Sequence, residues 1–189
     1  MMEIDNHIFY KEALKEYGVT ARGVHWNSQF SQYIRFEVIT KFINNIKEVS
    51  IADAGCGFAE YLNFLDNKNL LPKEYLGIDR EDYMLSISKD RFPNYEFLQM
   101  NIVEDEPLPT KDYYICSGAM NLLYEEDVYL FISKCFLSSK KAFIFNYLKN
   151  ETFVNVPKEN IINFCNKISR NIQIDEKYLN NDFTICLNK

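Results

Sequence analysis

Between residues 49 and 148, short apolar runs alternate with longer segments in which apolar side chains return every third or fourth position. Strands covered on both faces read as near-continuous apolar runs, whereas helices show a one-sided stripe. Read this way, the chain predicts strands at 49–54, 75–79, 95–100, 112–117 and 142–148, with helices near 58–66, 81–92 and 125–137. Such alternation implies a parallel sheet with right-handed crossovers. One connection breaks the rule. Only Ile102 to Lys111, including Pro107 and Pro109, join the third strand to the fourth. A crossover usually needs about a dozen residues or more. An extended loop, or at most one helical turn, is predicted there.

The two ends add further elements. His7 to Tyr17 has helical spacing and stops at Gly18; Val19 to Asn27 is irregular. Ser28 can cap a second helix, whose apolar stripe is Phe30, Tyr33, Ile34, Val38, Ile39, Phe42 and Ile46. The tail predicts a helix from Pro157 to Arg170, then a hairpin of 172–179 and 183–187 around Asn180-Asn181-Asp182. Seven strands result, the last antiparallel to the others. No repeat or linker divides the chain, so one domain is expected over 1–189: a helical cap at 1–46, a core at 47–148, and a closing helix and hairpin at 149–189.

The first strand runs into Asp53-Ala54-Gly55-Cys56-Gly57. Two glycines one residue apart let the backbone turn tightly and approach a ligand closely. An acid at the strand end would repel a pyrophosphate but suits the ammonium of an amino-acid-like group. The dinucleotide pattern G-x-G-x-x-G/A also requires a small third residue, and Glu60 stands there. The second strand ends in Asp79, 22 positions after Gly57, where a carboxylate can accept hydrogen bonds from ribose hydroxyls.

With these residues the chain resembles a class I S-adenosylmethionine-dependent methyltransferase. Asp53-Ala-Gly55-Cys-Gly57 is similar to that family's first motif, Leu76-Gly-Ile-Asp79 to its second strand, and Asp112 to Gly118 to its fourth. The resemblance covers 46–148 well. Tyr17 to Trp26 and Ser31 to Phe36 resemble the N-terminal segment of a bacterial subgroup, which reveals no substrate. The resemblance implies an α/β, doubly wound, mostly parallel seven-stranded sheet. It also implies S-adenosyl-L-methionine as cofactor and S-adenosyl-L-homocysteine as product; the residues themselves show no metal cluster, so no metal is expected. The residues it implies for cofactor binding are Asp53, Gly55, Cys56, Gly57, Asp79, Arg80, Asn101, Ile102 and Ser117. Asn101 is equally an ordinary turn former.

Composition narrows the partners. The net charge is −6, and residues 51–139 hold 7 Lys/Arg against 16 Asp/Glu. A nucleic-acid enzyme normally shows a basic face; only residues 140–189 lean that way, with 8 against 5. Ser117-Gly118-Ala119-Met120-Asn121 is not the Asn/Asp-Pro-Pro-Tyr/Phe tetrad of amino-methylating nucleic-acid enzymes. The expected partner is a small-molecule methyl acceptor. No apolar run spans a bilayer, and the N-terminus lacks a signal-peptide pattern. Five widely spaced cysteines without a C-x-x-C pair argue against a disulfide framework or zinc site and for a reducing cytoplasm.

Substrate-side residues are less determined. His25, Tyr124 and Tyr147 are candidate bases, and Trp26, Arg35, Gly118 and Asn146 candidate pocket residues. Trp26 reads more readily as an anchor for its segment and His25 as a surface residue; Gln32 and Arg35, three apart on one helical face, either reach the cofactor's carboxylate or form an ordinary surface pair. A module that binds the cofactor without methyl transfer is the alternative function, followed by a nucleic-acid methyltransferase and a nicotinamide-dependent oxidoreductase.

Overall fold

The computed structural model describes residues 29–150 and 156–189. The expected helix at 7–17, the Ser28 cap, His25 and Trp26 lie outside these residues. Seven strands form one sheet: β1 (Ser50–Ala54), β2 (Glu74–Asp79), β3 (Glu96–Gln99), β4 (Lys111–Ser117), β5 (Ser139–Leu148), β6 (Ile172–Asp175) and β7 (Asp182–Asn188). Their order is β3-β2-β1-β4-β5-β7-β6. Pairs among the first five are parallel, whereas β7 runs antiparallel to both β5 and β6. The chain works outward from β1 to β3 and then returns to β4. The carboxyl ends of β1 and β4 therefore flank a topological switch point, the position where open α/β sheets place ligands.

Among the described residues, five α-helices cover the sheet: α1 (Gln29–Lys41), α2 (Glu60–Asn67), α3 (Asp82–Arg91), α4 (Glu125–Ser138) and α5 (Lys158–Ile168). Alternation along each strand divides the core in two. Ile51, Ile115 and Ile144 pack with Phe36 and Ile39 of α1 and Leu62 and Leu65 of α2. On the opposite face Ala52, Tyr114, Phe143 and Phe145 pack with Val128 and Ile132 of α4 and Ile161 of α5. No described helix is long and apolar enough to cross a membrane.

Several expected boundaries shift. Helix α2 begins at Glu60 rather than 58, because Ala59 takes a left-handed backbone (φ 59°) that ends the glycine turn. Strand β5 starts at Ser139, three residues early, directly off α4. Strand β6 stops at Asp175, short of 179.

The first described helix departs most from its sequence pattern. Phe30, placed in the apolar stripe, is 74 % exposed, whereas Gln32 and Arg35 are buried beside Phe36, Val38 and Ile39. Ile46 belongs to a separate 3₁₀ turn, Ile46–Glu48. Arg35 is held on the buried face by Asp182 of β7, a partner that hydrophobic periodicity does not register.

The short β3–β4 connection is an extended loop with one turn, as its proline content predicts, and contains a cis Glu106–Pro107 bond. Lys134 of α4 ties it down, donating to the carbonyls of Val103 at 2.7 Å and Asp105 at 3.1 Å. At the other end of the strands, Ser50 N donates to the Asp112 carboxylate at 2.9 Å and Asp112 N to Ser50 Oγ at 2.9 Å, fixing where β1 and β4 begin. Asp112 is a structural residue.

Candidate active site

The glycine turn hangs from β2. Gly55 N and Cys56 N both donate to the Ile78 carbonyl, at 2.7 and 3.0 Å. Gly55 has φ 81°, a region that side chains strain. A Cβ placed there would lie 2.2 Å from the Cβ of Ala119, in the 3₁₀ turn Ala119–Leu122 that follows β4. Gly55→Ala is therefore expected to cost about 1–3 kcal/mol of stability, read from urea denaturation. A loss below about 0.5 kcal/mol would mean that the turn and Ala119 separate freely. Gly77 is required differently: a Cβ there would meet the Phe97 ring at 2.5 Å and Cys56 Sγ at 2.9 Å.

Two carboxyl groups flank this turn. Asp53 is 3 % exposed and accepts a 2.6 Å hydrogen bond from the Tyr75 hydroxyl. Burial pushes its pKa up to about 7, with the Tyr75 bond opposing the rise and the nearby Asp79 charge adding to it. Asp79 accepts from Gly57 N at 2.9 Å and from Glu81 N at 3.0 Å. Its pKa is also raised by burial, against the pull of those two backbone donors. One carboxylate thus holds both the glycine turn and the start of α3, and each oxygen keeps a lone pair for a further donor.

Three supporting residues escaped the sequence reading. Ser88 of α3 donates to the Gly57 carbonyl at 2.8 Å. Arg91 donates to the Phe58 carbonyl and pairs with Glu60 at 2.7 Å. Tyr75, which orients Asp53, reads in sequence as an apolar strand residue. Their common signal is weak, a polar atom at the end of an otherwise helical or apolar pattern. Glu60, the residue that breaks the dinucleotide pattern, is thereby committed to Arg91.

The other expected cofactor residues are distributed around the same sheet edge. Cys56 is buried in the turn, and burial holds its thiol well above the ordinary range, which suits a packing residue. Arg80 pairs with Glu81 at 3.1 Å. Asn101 uses its side-chain oxygen in a turn, accepting from Val103 N at 3.1 Å, while Ile102 is buried in the α4–α5 core. Ser117 ends β4, followed by Gly118 (φ 91°).

Beyond Ser117 the edge continues as a polar row. Ser117 pairs in register with Asn146 of β5, and Asn146 with Thr184 of β7. Their neighbours Ile115, Ile144 and Cys186, two positions along each strand, belong to the α1–α2 core, so the row lies on that face. Arg35 reaches it from α1, donating through Nη2 to Asp182 Oδ2 at 3.0 Å and through Nε to Oδ1. The surface-pair expectation for Gln32 and Arg35 is corrected: the two are 3 % and 6 % exposed, and Arg35 is committed to a buried carboxylate.

The tyrosine candidates separate. Tyr124 precedes α4 and is 46 % exposed. Tyr147 points to the opposite face, buried in the α4–α5 core with its ring 6.0 Å from Phe183. Period-two alternation places it away from the Ser117–Asn146 row. Cys116 is likewise buried in that core, where burial raises its pKa to about 12, unsuited to a nucleophile. Among the described residues, no group of His, Cys, Asp or Glu is arranged to hold a metal ion.

No protein-family model and no curated protein sequence matches the chain. Solved structures do. A magnesium protoporphyrin IX methyltransferase from Synechocystis, solved with S-adenosylmethionine bound, is similar with a TM-score of 0.69 at 11% identity, over 100% of this chain and 99% of that one. A TehB-like S-adenosylmethionine-dependent methyltransferase from Corynebacterium glutamicum gives 0.68 at 12% identity, over 99% of this chain and 100% of that one. An S-adenosylmethionine-dependent methyltransferase from Clostridium acetobutylicum gives 0.68 at 12% identity, over 95% and 98%. The chain has the Rossmann-like methyltransferase fold.

Proposed function

We propose that this chain is an S-adenosylmethionine-dependent methyltransferase acting on O, N or S of a small-molecule acceptor. The observation that carries the reading is the pair of buried carboxyl groups, Asp53 and Asp79, on either side of the Gly55–Gly57 turn at the switch point. The residues present fit the group. A carboxyl at the end of β1 complements an ammonium, and Asp79 has acceptor capacity for two ribose hydroxyls. The close approach of Gly55 to Ala119 joins the turn to the end of β4, where an acceptor would enter.

The bound cofactor supplies a methyl group already activated on sulfonium. The protein's work is then to hold the two reactants at about 3–3.5 Å and to exclude water. Asp53, Asp79 and the turn hold the donor, with Ser88 and Arg91 keeping the turn in place. Arg80, Asn101 and Ile102 border the adenosine side, and Gly118 and Asn146 the acceptor side. The excess of acids in residues 51–139 supports a small acceptor over a nucleic acid. Five buried, unpaired cysteines support a reducing cytoplasm as the setting.

Titration calorimetry with S-adenosylhomocysteine and NAD in parallel tests the assignment. Micromolar binding of the first and none of the second is expected; the reverse would make the chain a nicotinamide enzyme. Binding of the first with no transfer across a broad acceptor screen would leave only a cofactor-binding module.

Asp53 adds a pH signature. With its carboxyl raised to about 7 in the folded protein, a cation must displace a proton below that pH. Affinity for S-adenosylhomocysteine should fall roughly tenfold from pH 8 to pH 6, following the ionised fraction of one group. The slope should vanish in Asp53→Asn. Folding has the opposite sign: the native carboxyl keeps its proton where the unfolded one has lost it. Its contribution to stability is full below about pH 4 and declines to about pH 7.

A further inference from the structure

The polar row beside the glycine turn has two atoms left over. Thr184 Oγ1 lies 2.8 Å from the Tyr178 hydroxyl oxygen, and Asp182 accepts both Nε and Nη2 of Arg35. Ser117 Oγ and Asn146 Oδ1, both buried, have no hydrogen-bond partner among the described residues. Asn146 is 0 % exposed, and its Nδ2 faces Asp182 Oδ1 at 3.5 Å, which turns Oδ1 the other way. Leaving such atoms unsatisfied is unfavourable, so each calls for a ligand, a water or a function.

Their placement suits a shared ligand. Ser117 and Asn146 are directly paired positions on adjacent parallel strands, which lie about 4.8 Å apart. Ser117 lies two residues beyond Ile115, the partner of Asp53, and on the same face. The row therefore starts one strand away from the carboxyl proposed to hold the methyl donor.

The chemistry narrows the ligand. Asn146 Oδ1 only accepts, while a serine hydroxyl can donate. A group meeting both donates once and accepts once, as a hydroxyl does. A carboxylate has no proton for Asn146 and would adjoin Asp182. An ammonium would be stripped of water beside a row whose one carboxylate is already met by Arg35, and a buried charge requires a partner.

We infer that Ser117 and Asn146 form the recognition site for an uncharged hydroxyl on the methyl acceptor. This rests on the methyltransferase reading and names its substrate class; Ser117 then serves the acceptor rather than the cofactor.

Three probes on one ring test it: benzyl alcohol, benzoate and benzylamine, by saturation-transfer NMR on the full chain loaded with S-adenosylhomocysteine. Benzyl alcohol is expected to bind in preference to the other two. Ser117→Ala should weaken it about tenfold, the effect of one lost hydrogen bond, while the thermal midpoint stays level or rises because an unsatisfied hydroxyl is gone. Asn146→Leu should also weaken benzyl alcohol.

Equal signals from the three probes, or none from any, overturn the proposal. So does Ser117→Ala with benzyl alcohol affinity intact. Loss of S-adenosylhomocysteine affinity in that variant would place the hydroxyl at the methyl donor and also overturn it. If the native chain does not bind S-adenosylhomocysteine, both readings fall; if it binds without a hydroxyl preference, only this one does.

Discussion

Asp182→Ala should destabilise the fold by about 3–5 kcal/mol, the usual effect of removing one member of a buried ion pair. The Arg35 and Asp182 side chains are 8 % and 3 % exposed, and the carboxylate takes two guanidinium nitrogens. Without it a charge stays in a low-dielectric site, so the penalty is desolvation rather than the lost contact. The pair also links α1 to β7, elements 147 positions apart in sequence. The double variant Arg35→Met with Asp182→Leu should recover most of the loss, since apolar replacement of a buried pair is often neutral or better. Urea denaturation of the single and double variants measures this. A single-variant loss under about 1 kcal/mol would mean the site is wet enough to solvate the guanidinium.

Asp79→Ala should weaken S-adenosylhomocysteine binding at least about a hundredfold. The substitution removes the proposed ribose contacts and also leaves Gly57 N and Glu81 N without their acceptor. Hydrogen bonds to a charged group contribute about 1.5–3 kcal/mol each, so losing two of this kind accounts for the expected factor. Asp79→Asn keeps one acceptor but turns a donor toward a backbone N–H, and should fall between. Calorimetry gives the affinities, and melting midpoints separate local loosening from unfolding. Native affinity in the alanine variant would remove Asp79 from the site.

Every sheet strand was foreseen from local pattern: the central strands are buried on both faces and so mostly apolar, and the edge strands β3 and β6, partly exposed, are marked by turn residues local in sequence. The glycine turn was legible for the same reason: Gly55 and Gly57 are required by backbone conformation, which neighbouring residues reveal. Boundaries were less so. Ala59 in a left-handed conformation has no sequence mark, and it moved the start of α2.

The contacts across the sheet were not legible. Arg35 reads as a surface residue until Asp182, far along the chain, folds opposite it. Tyr147 and Asn146 are adjacent in sequence, yet strand alternation sends one into the α4–α5 core and the other to the row beside Ser117. Tyr75 reads as core until its hydroxyl meets Asp53. Local chain geometry thus chose the elements and the donor-binding turn, since both depend on residues close in sequence. Which polar groups are buried together, and hence what the acceptor side can recognise, arises when distant strands pair and exclude water from their shared edge.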